Sequence, residues 1–230
     1  MHDYQLISFD LDGTLVDTAG EIAEAVNRAL EEHGLARRPT AEITLLIGAG
    51  TRELMLKLLA RIFHENPSLS ERLDIDALLT SLDRHYALTS GSAAVVYEGA
   101  REALARLRAA GIKTACVTNK ELRHARRVLQ ATRLEPLFDL LIGGDSLAQK
   151  KPHASVLRHV AQELGVCTTR SAHVGDSRTD IDAARNAGLA AWAVPYGYNA
   201  GEPIASARPQ RIFASLSELA AHVLAPPSTH

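Results

Sequence analysis

Two aspartates directly follow a short apolar segment near the beginning of the chain. Residues 6–9 read Leu-Ile-Ser-Phe, a pattern typical of a buried strand, and Asp10 and Asp12 come next. On nearly extended backbone, side chains two positions apart point to one side. Two carboxylates about 5 Å apart repel each other by roughly 3 kcal/mol at an effective dielectric constant near 20. Either one takes up a proton, which suits a general acid, or a cation such as Mg²⁺ sits between them.

Polar and charged side chains also follow three later predicted strands. Thr118 and Asn119 follow one strand, and Lys151 follows the next. Asp176 and Asp180 follow a third. Ligands of α/β sheets bind at the carboxyl ends of the strands, so we expect these side chains to join the first two aspartates. A hydroxyl and an amide can hydrogen-bond an anion without adding charge, and a lysine can neutralise a phosphoryl group. Taken alone, each stretch also fits helix capping or a solvated loop.

The elements that would position these side chains alternate between strands and helices. Apolar periodicity predicts helices at 18–33, 51–63, 71–88, 99–110, 121–131, 155–164, 179–187 and 215–224, the first of them capped by Thr18. Short apolar runs predict strands at 6–9, 112–117, 137–142, 171–174, 189–194 and 211–213. The alternation from residue 99 onward indicates βαβ units and a parallel sheet.

The first strand is separated from the later ones by an all-helical block. The sequence therefore predicts an α/β fold: a Rossmann-like parallel sheet core with an inserted α-helical cap. We assign 1–17 and 93–225 to the core, 18–92 to the cap and 226–230 to a frayed C-terminal tail.

The composition argues against a nucleic-acid-binding, disulfide-stabilised or membrane protein. The net charge is −2, and no basic run is dense enough to indicate a nucleic-acid partner. The two cysteines, Cys116 and Cys167, support no disulfide framework, which favours a reducing cytoplasm. Neither a signal peptide nor a segment of membrane-spanning length is expected, so we expect no membrane partner.

The reactive residues together resemble the haloacid dehalogenase superfamily of aspartate-nucleophile phosphohydrolases. Residues 10–15, Asp-Leu-Asp-Gly-Thr-Leu, match the first motif of that family, and Thr118 matches the second. Lys151 matches the third motif, and the Gly-Asp pair at 175–176 with Asp180 matches the fourth. Within the superfamily the chain is most similar to bacterial phosphoglycolate phosphatases, through the stretches 117–120, 143–146, 175–180 and 196–202.

The resemblance implies a Mg²⁺-dependent phosphatase that hydrolyses a small phosphorylated metabolite, 2-phosphoglycolate, through an aspartyl-phosphate. Asp10 is then the nucleophile and Asp12 the general acid and base, with Lys151 as the catalytic cation. Thr118 and Asn119 would hold phosphate oxygens. The implied metal ligands are Asp10, Asp12, Asp176 and Asp180, with Asp180 acting either directly or through bound waters.

Several points stay open from the sequence. Arg52, which follows a Gly-Ala-Gly joint at 48–50, is a candidate for binding an acidic group of the substrate, although an exposed surface position is an equal alternative. A phosphosugar phosphatase and a β-phosphoglucomutase-like phosphotransferase would use the same motifs. A non-catalytic metal-binding module is the alternative outside enzymes. Either a monomer or a homodimer is compatible with the sequence.

Overall fold

The computed structural model describes residues 3–225, and the predicted tail at 226–230 lies outside them. The strands are, in chain order, β1 (Leu6–Phe9), β2 (Val16–Asp17), β3 (Val95–Val96), β4 (Lys113–Val117), β5 (Leu140–Ile142), β6 (Ser171–Gly175), β7 (Ala190–Ala193) and β8 (Arg211–Ile212). Six of them form one parallel sheet in the order β5-β4-β1-β6-β7-β8. The predicted α/β fold class with a Rossmann-like parallel core is confirmed.

The helices cover both faces of this sheet and extend beyond it. They are α1 (Ala19–Glu32), α2 (Thr40–Thr44), α3 (Thr51–Glu65), α4 (Ile75–Thr89), α5 (Ala100–Ala109), α6 (Leu122–Ala131), α7 (Ala154–Glu163), α8 (Arg178–Ala187) and α9 (Leu216–Leu224). Helices α5, α6 and α9 contribute to one apolar cluster on the sheet, and α7 and α8 contribute to another. Strand β1 is buried throughout, as expected for a central strand covered on both sides.

The four helices α1 to α4 bury a third apolar cluster of their own. In α1 the apolar residues Ile22, Val26 and Leu30 lie at helical spacing and are all buried. Helix α1 packs along α4, and the apolar faces of both helices lie in this cluster. The predicted helical block is therefore present, and its treatment as a separate cap domain stays a prediction.

The start of one helix and the presence of another differ from the prediction in this block. Helix α4 begins at Ile75, not at residue 71, because the Asp74 side chain caps it by accepting a hydrogen bond from the amide of Ala77. A 3₁₀ turn, Pro67–Glu71, precedes that cap. Helix α2, five residues long, was not predicted because it is too short for helical periodicity to be recognised.

Two connections join the helical block to the sheet, and they pair with each other. Strands β2 and β3 form an antiparallel ribbon in which Val16 faces Val96. Each strand is only two residues long, so no alternation could reveal it in the sequence. The ribbon holds the segment that enters the helical block beside the segment that leaves it, next to the loop that carries Asp12. Among residues 3–225 no helix has the length and apolar character needed to cross a membrane.

Candidate active site

The carboxyl ends of the three central strands bring the predicted residues to one edge of the sheet. Asp10 follows β1, and its amide donates a hydrogen bond to the Val174 carbonyl of β6. Thr118 follows β4, and its amide donates to the Ile142 carbonyl of β5. Asp176 follows β6. Because β4 and β6 flank β1, these side chains converge above the middle of the sheet.

A cavity, partly open to solvent and with about 350 Å³ of empty space, lies between this edge and the helical block. Its polar side is formed by the sheet edge: Asp10, Asp12, Thr118, Asn119 and Lys120. The opposite side comes from the helical block: Ile22, Ile47, Gly48, Gly50, Thr51 and Leu54. The cavity therefore has a charged floor and a largely apolar roof.

Three buried aspartates form the acidic centre of the site. Asp10, Asp176 and Asp180 each place a carboxylate oxygen within 4.8 Å of the others. The Lys151 ammonium donates to Asp10 Oδ1 at 2.9 Å and to Asp180 Oδ1 at 2.7 Å. It also donates to the Val117 carbonyl at 2.6 Å, so all three of its hydrogens have acceptors. The single positive charge of Lys151 therefore offsets only part of the negative charge that three ionised acids would carry.

Burial and the neighbouring charges together shift the pKa values of the three acids in different directions. Burial raises the pKa of Asp10 to about 7, aided by the charges of Asp180 and Asp12 and opposed by Lys151. Burial likewise raises the pKa of Asp176 to about 8, with Asp180 and Asp10 adding to the effect. Burial also acts on Asp180, but the Lys151 charge and the His173 hydrogen bond outweigh it and lower the pKa of that carboxyl. Asp180 is the permanently ionised member of the cluster.

Asp180 is held by donors on both of its oxygens. Its Oδ2 accepts from the Ser177 amide at 3.2 Å and from the Ser177 hydroxyl at 2.6 Å, which completes a capping box at the start of α8. Its Oδ1 lies 3.3 Å from His173 Nε2, and His173 Nδ1 lies 2.9 Å from the Ser8 hydroxyl. Burial lowers the pKa of His173, so the ring is neutral, and its Nε2 donates to the ionised Asp180, whose oxygens can only accept. His173 was not predicted as a site residue, although its place inside a predicted buried strand could have indicated a role.

Asp176 is enclosed by backbone that only glycine permits. A Cβ on Gly13 would lie 2.4 Å from Asp176 Oδ2, and Gly13 has a φ of +83°. A Cβ on Gly197 would lie 2.2 Å from Asp176 Cβ. The carboxylate accepts from the Thr14 hydroxyl at 2.9 Å and from the Tyr198 amide at 2.7 Å. These contacts fix the Asp176 carboxylate beside Asp10, and only the folded chain reveals the part played by Gly197.

Asp12 lies beside the acidic centre with its own donors. Its Oδ1 accepts from the Thr18 hydroxyl at 2.5 Å and from the Lys120 ammonium. Thr18 stands at the predicted N-cap position of α1, but its side chain makes no capping bond because the hydroxyl is directed to Asp12. The predicted N-cap position of Thr18 is therefore confirmed, although α1 gains no side-chain capping bond from it. Lys120 was not singled out from the sequence as a site residue.

The three predicted substrate-binding residues have different positions. The Thr118 hydroxyl faces the cavity and accepts from the amide of Lys120 at 3.2 Å. The Asn119 side-chain amide donates to the Gly48 carbonyl at 3.1 Å and to the Lys151 carbonyl at 2.9 Å, which ties the helical block to the sheet edge. Its Oδ1 is buried and has no hydrogen-bond partner among residues 3–225.

Arg52 does not line the cavity. Its side chain is 63% exposed, and its nearest acidic partner is the exposed Asp76 at 3.9 Å. The neighbouring residue Thr51 faces the cavity instead. Successive side chains of a helix point in different directions, and the rotation of α3 places Thr51 at the cavity and Arg52 at the surface. The structure brings together every predicted site residue except Arg52.

The comparison with protein families agrees with this geometry. The family model described as haloacid dehalogenase-like hydrolase matches residues 4–188, far more than half of the chain. The chain belongs to the haloacid dehalogenase-like hydrolases. The predicted family is confirmed, and the matched region includes all of the acids and lysines described above.

The matches to individual relatives cover nearly the whole length of this hydrolase. A phosphoglycolate phosphatase of Colwellia psychrerythraea is 37% identical over 219 residues, which is 95% of this chain and 96% of the relative. The crystal structure of a predicted phosphoglycolate phosphatase from Haemophilus somnus superposes with a TM-score of 0.89 at 30% identity, covering 95% and 97% of the two chains. CbbY from Rhodobacter sphaeroides, solved in complex with xylulose 1,5-bisphosphate, gives a TM-score of 0.74 at 26% identity, covering 94% and 96%.

Proposed function

We propose that this hydrolase is a Mg²⁺-dependent phosphatase that cleaves the phosphate ester of 2-phosphoglycolate through an aspartyl-phosphate on Asp10. The observation that carries the proposal is the contact of Asp10 with Lys151 inside a cluster of acids. A carboxylate becomes a competent nucleophile toward phosphorus when cations offset the charges on both reactants. The phosphoglycolate phosphatase relatives support the choice of substrate.

The donor set fits a hard divalent cation. Asp10 and Asp176 offer carboxylate oxygens at close range, and such oxygens are the preferred protein ligands of Mg²⁺. We assign Asp12 to the same site through its backbone carbonyl. Asp180 has donors on both oxygens, which favours a supporting role over direct ligation. When bound, the ion would offset the negative charge of the phosphoryl group and of the nucleophile.

The chain's own residues account for the other parts of the reaction. Asp10 attacks phosphorus while Asp12 protonates the departing ester oxygen, and Asp12 then takes a proton from the water that cleaves the aspartyl-phosphate. Lys151 offsets charge beside Asp10, and Thr118 holds a phosphate oxygen. The apolar roof of the cavity excludes water, and we propose that the helical block acts as a cap over the substrate.

A phosphosugar phosphatase is the second candidate function. It is favoured by the likeness to CbbY, which was solved with a sugar bisphosphate. The same likeness keeps a phosphosugar mutase open, since that reaction would use the same nucleophile and return the phosphoryl group to a sugar. A metal-binding module without turnover is less well supported, because each proposed catalytic side chain is present at the site.

A panel of small phosphate esters tests the proposed function. We expect release of phosphate from 2-phosphoglycolate with a kcat/KM at least about tenfold above that for glucose 1-phosphate or glucose 6-phosphate, and loss of this activity when Mg²⁺ is chelated. Phosphate release and conversion of glucose 1-phosphate into its 6-phosphate isomer are measured in parallel. Preference for a sugar phosphate would replace the proposed substrate, and isomer formation would indicate a mutase.

The pKa shifts predict a pH-dependent stabilisation by Mg²⁺. Without metal, Asp10 and Asp176 have pKa values of about 7 and about 8, against about 4 in an unfolded chain. The folded state then binds more protons than the unfolded state between about pH 4 and pH 8, so the free energy of unfolding falls as pH rises through that window. Mg²⁺ competes with those protons, and its stabilising effect should grow with pH over the same range.

Thermal melting with and without Mg²⁺ checks this expectation. At about 100 times Kd the ion stabilises by about 2.7 kcal/mol, which is roughly 5 to 10 °C in Tm for a chain of this size. We expect a shift of that order at pH 8 and a much smaller one at pH 5. Asp176→Asn should remove the shift, and Asp182→Asn, on the outer side of α8, should retain it. An equal shift at both pH values would contradict the assignment of these acids to the metal site.

We propose that the enzyme works in the cytoplasm on a small phosphorylated metabolite, without a nucleic-acid or membrane partner. The free thiols of Cys116 and Cys167 support this location. Whether it acts as a monomer or a homodimer stays a prediction.

A further inference from the structure

Lys120 is a buried lysine whose hydrogen-bonding capacity is only partly used. Its side chain is 2% exposed and lines the cavity, and its ammonium donates to Asp12 Oδ1. The ammonium also lies 5.3 Å from the ring centroid of Tyr86, which α4 contributes from the helical block. An ammonium has three hydrogens to donate, and among residues 3–225 Asp12 is the single hydrogen-bond acceptor of this one.

The other cations near the cavity are not available to a ligand in the same way. Lys151 has all three hydrogens occupied by Asp10, Asp180 and a backbone carbonyl. Lys150 donates to the Ala49 carbonyl and is exposed. Arg52 points to the surface. Within the described part of the chain, Lys120 is therefore the cation that both lines the cavity and has hydrogens left to donate.

Lys120 lies near the place that the carboxylate of a phosphorylated hydroxy acid would occupy. Under the proposed function, Asp12 protonates the ester oxygen of the substrate. In 2-phosphoglycolate a single methylene separates that oxygen from the carboxylate, so a group hydrogen-bonded to Asp12 lies close to where the carboxylate must sit. On the facing wall, the side chains of Ile22, Ile47 and Leu54 offer no hydrogen bonds to sugar hydroxyls. The hydroxyl of Thr51 on the same wall donates to the Glu121 carboxylate.

We infer that Lys120 binds the carboxylate of the substrate and makes the enzyme prefer phosphate esters that carry a carboxylate one methylene away from the ester oxygen. This inference rests on the proposed function. The ammonium donates its unused hydrogens to the substrate while it remains beside Asp12. A buried charge-assisted contact of this kind discriminates strongly against a neutral analogue, because the analogue leaves the cation without its partner.

The test compares 2-phosphoglycolate with ethyl phosphate, which has a methyl group in place of the carboxylate. We expect Lys120→Met to lower the ratio of their kcat/KM values by roughly 30-fold, the size of effect typical of a hydrogen bond between charged groups. Any change in Asp12 affects both esters alike and cancels in the ratio. Lys57→Met, the same change at an exposed position of α3, is the control and should leave the ratio as in the wild type.

The outcomes separate the two proposals. If the wild type shows no preference for 2-phosphoglycolate, the proposed substrate is wrong and the inference fails with it. If the wild type shows the preference and Lys120→Met keeps it, the proposed function stands and Lys120 serves only to hold Asp12. Should Lys120→Met fail to fold, Lys120→Gln, which keeps a donor for Asp12 without the charge, gives the same comparison; Lys120→Arg should retain most of the preference.

Discussion

Replacing Asp10 with asparagine is expected to abolish phosphate release while the protein stays folded. The substitution keeps the size and shape of the side chain but removes the anionic oxygen that we propose attacks phosphorus. Loss of a nucleophile costs on the order of 10⁴-fold or more in kcat. The fold should tolerate the change, because Lys151 keeps Asp180 and the Val117 carbonyl as acceptors. Above about pH 7 the variant should be at least as stable as the wild type, since one buried charge has been removed from the acidic cluster.

Phosphate release from 2-phosphoglycolate and thermal melting are measured on the same preparations. Asp76→Asn is the matched control, because the Asp76 side chain is 92% exposed and lies on the helical block outside the cavity. It should keep wild-type turnover. Appreciable turnover by Asp10→Asn would remove Asp10 from the nucleophile role, and a large fall in Tm would mean that the loss of activity reports unfolding.

The predicted site residues that the structure brings together share one property. Asp10, Thr118 and Asp176 come directly after strands, and the order of parallel strands alone carries them to one edge of the sheet. Their convergence needs no knowledge of how the helices pack. Lys151 lies in the loop between β5 and α7 and reaches the same edge, where two acids attract it. A fold class that fixes topology therefore fixes most of the acidic centre as well.

The residues that the sequence left unassigned depend on contacts between elements. Lys120 becomes notable only when helix α4 covers it with Tyr86 and the loop after β1 supplies Asp12. His173 gains its partners because β6 pairs with β1 and brings Ser8 alongside. Arg52 was a candidate because it follows the Gly-Ala-Gly joint at 48–50, whereas the rotation of α3 decides which of its side chains faces the cavity. None of these contacts follows from local spacing.

Replacing Lys151 with methionine is expected to reduce both activity and stability. Methionine fills a similar volume, but it leaves Asp10 and Asp180 buried without the cation that now contacts both. Removing one partner from a buried ion pair typically costs about 3 to 5 kcal/mol. Without the ammonium, charge on the nucleophile and on the phosphoryl group is no longer offset beside Asp10, so we also expect kcat to fall by roughly 10³-fold or more.

The pH dependence of that destabilisation distinguishes a charge effect from a packing effect. In the wild type the contacts of Asp180 with Lys151 and His173 together outweigh burial and keep the pKa of Asp180 low, so this carboxylate stabilises the fold above about pH 4. In Lys151→Met the pKa of Asp180 should rise, and at low pH the acid takes up a proton and no longer needs a cation. Denaturant unfolding should therefore show a larger difference in the free energy of unfolding between variant and wild type at pH 8 than at pH 5.

The control is Lys150→Met, at the adjacent exposed lysine, which should lower the free energy of unfolding by less than about 1 kcal/mol at either pH. An equal cost for Lys151→Met at both pH values would mean that Lys151 acts through packing, and the electrostatic account of the acidic centre would then be wrong.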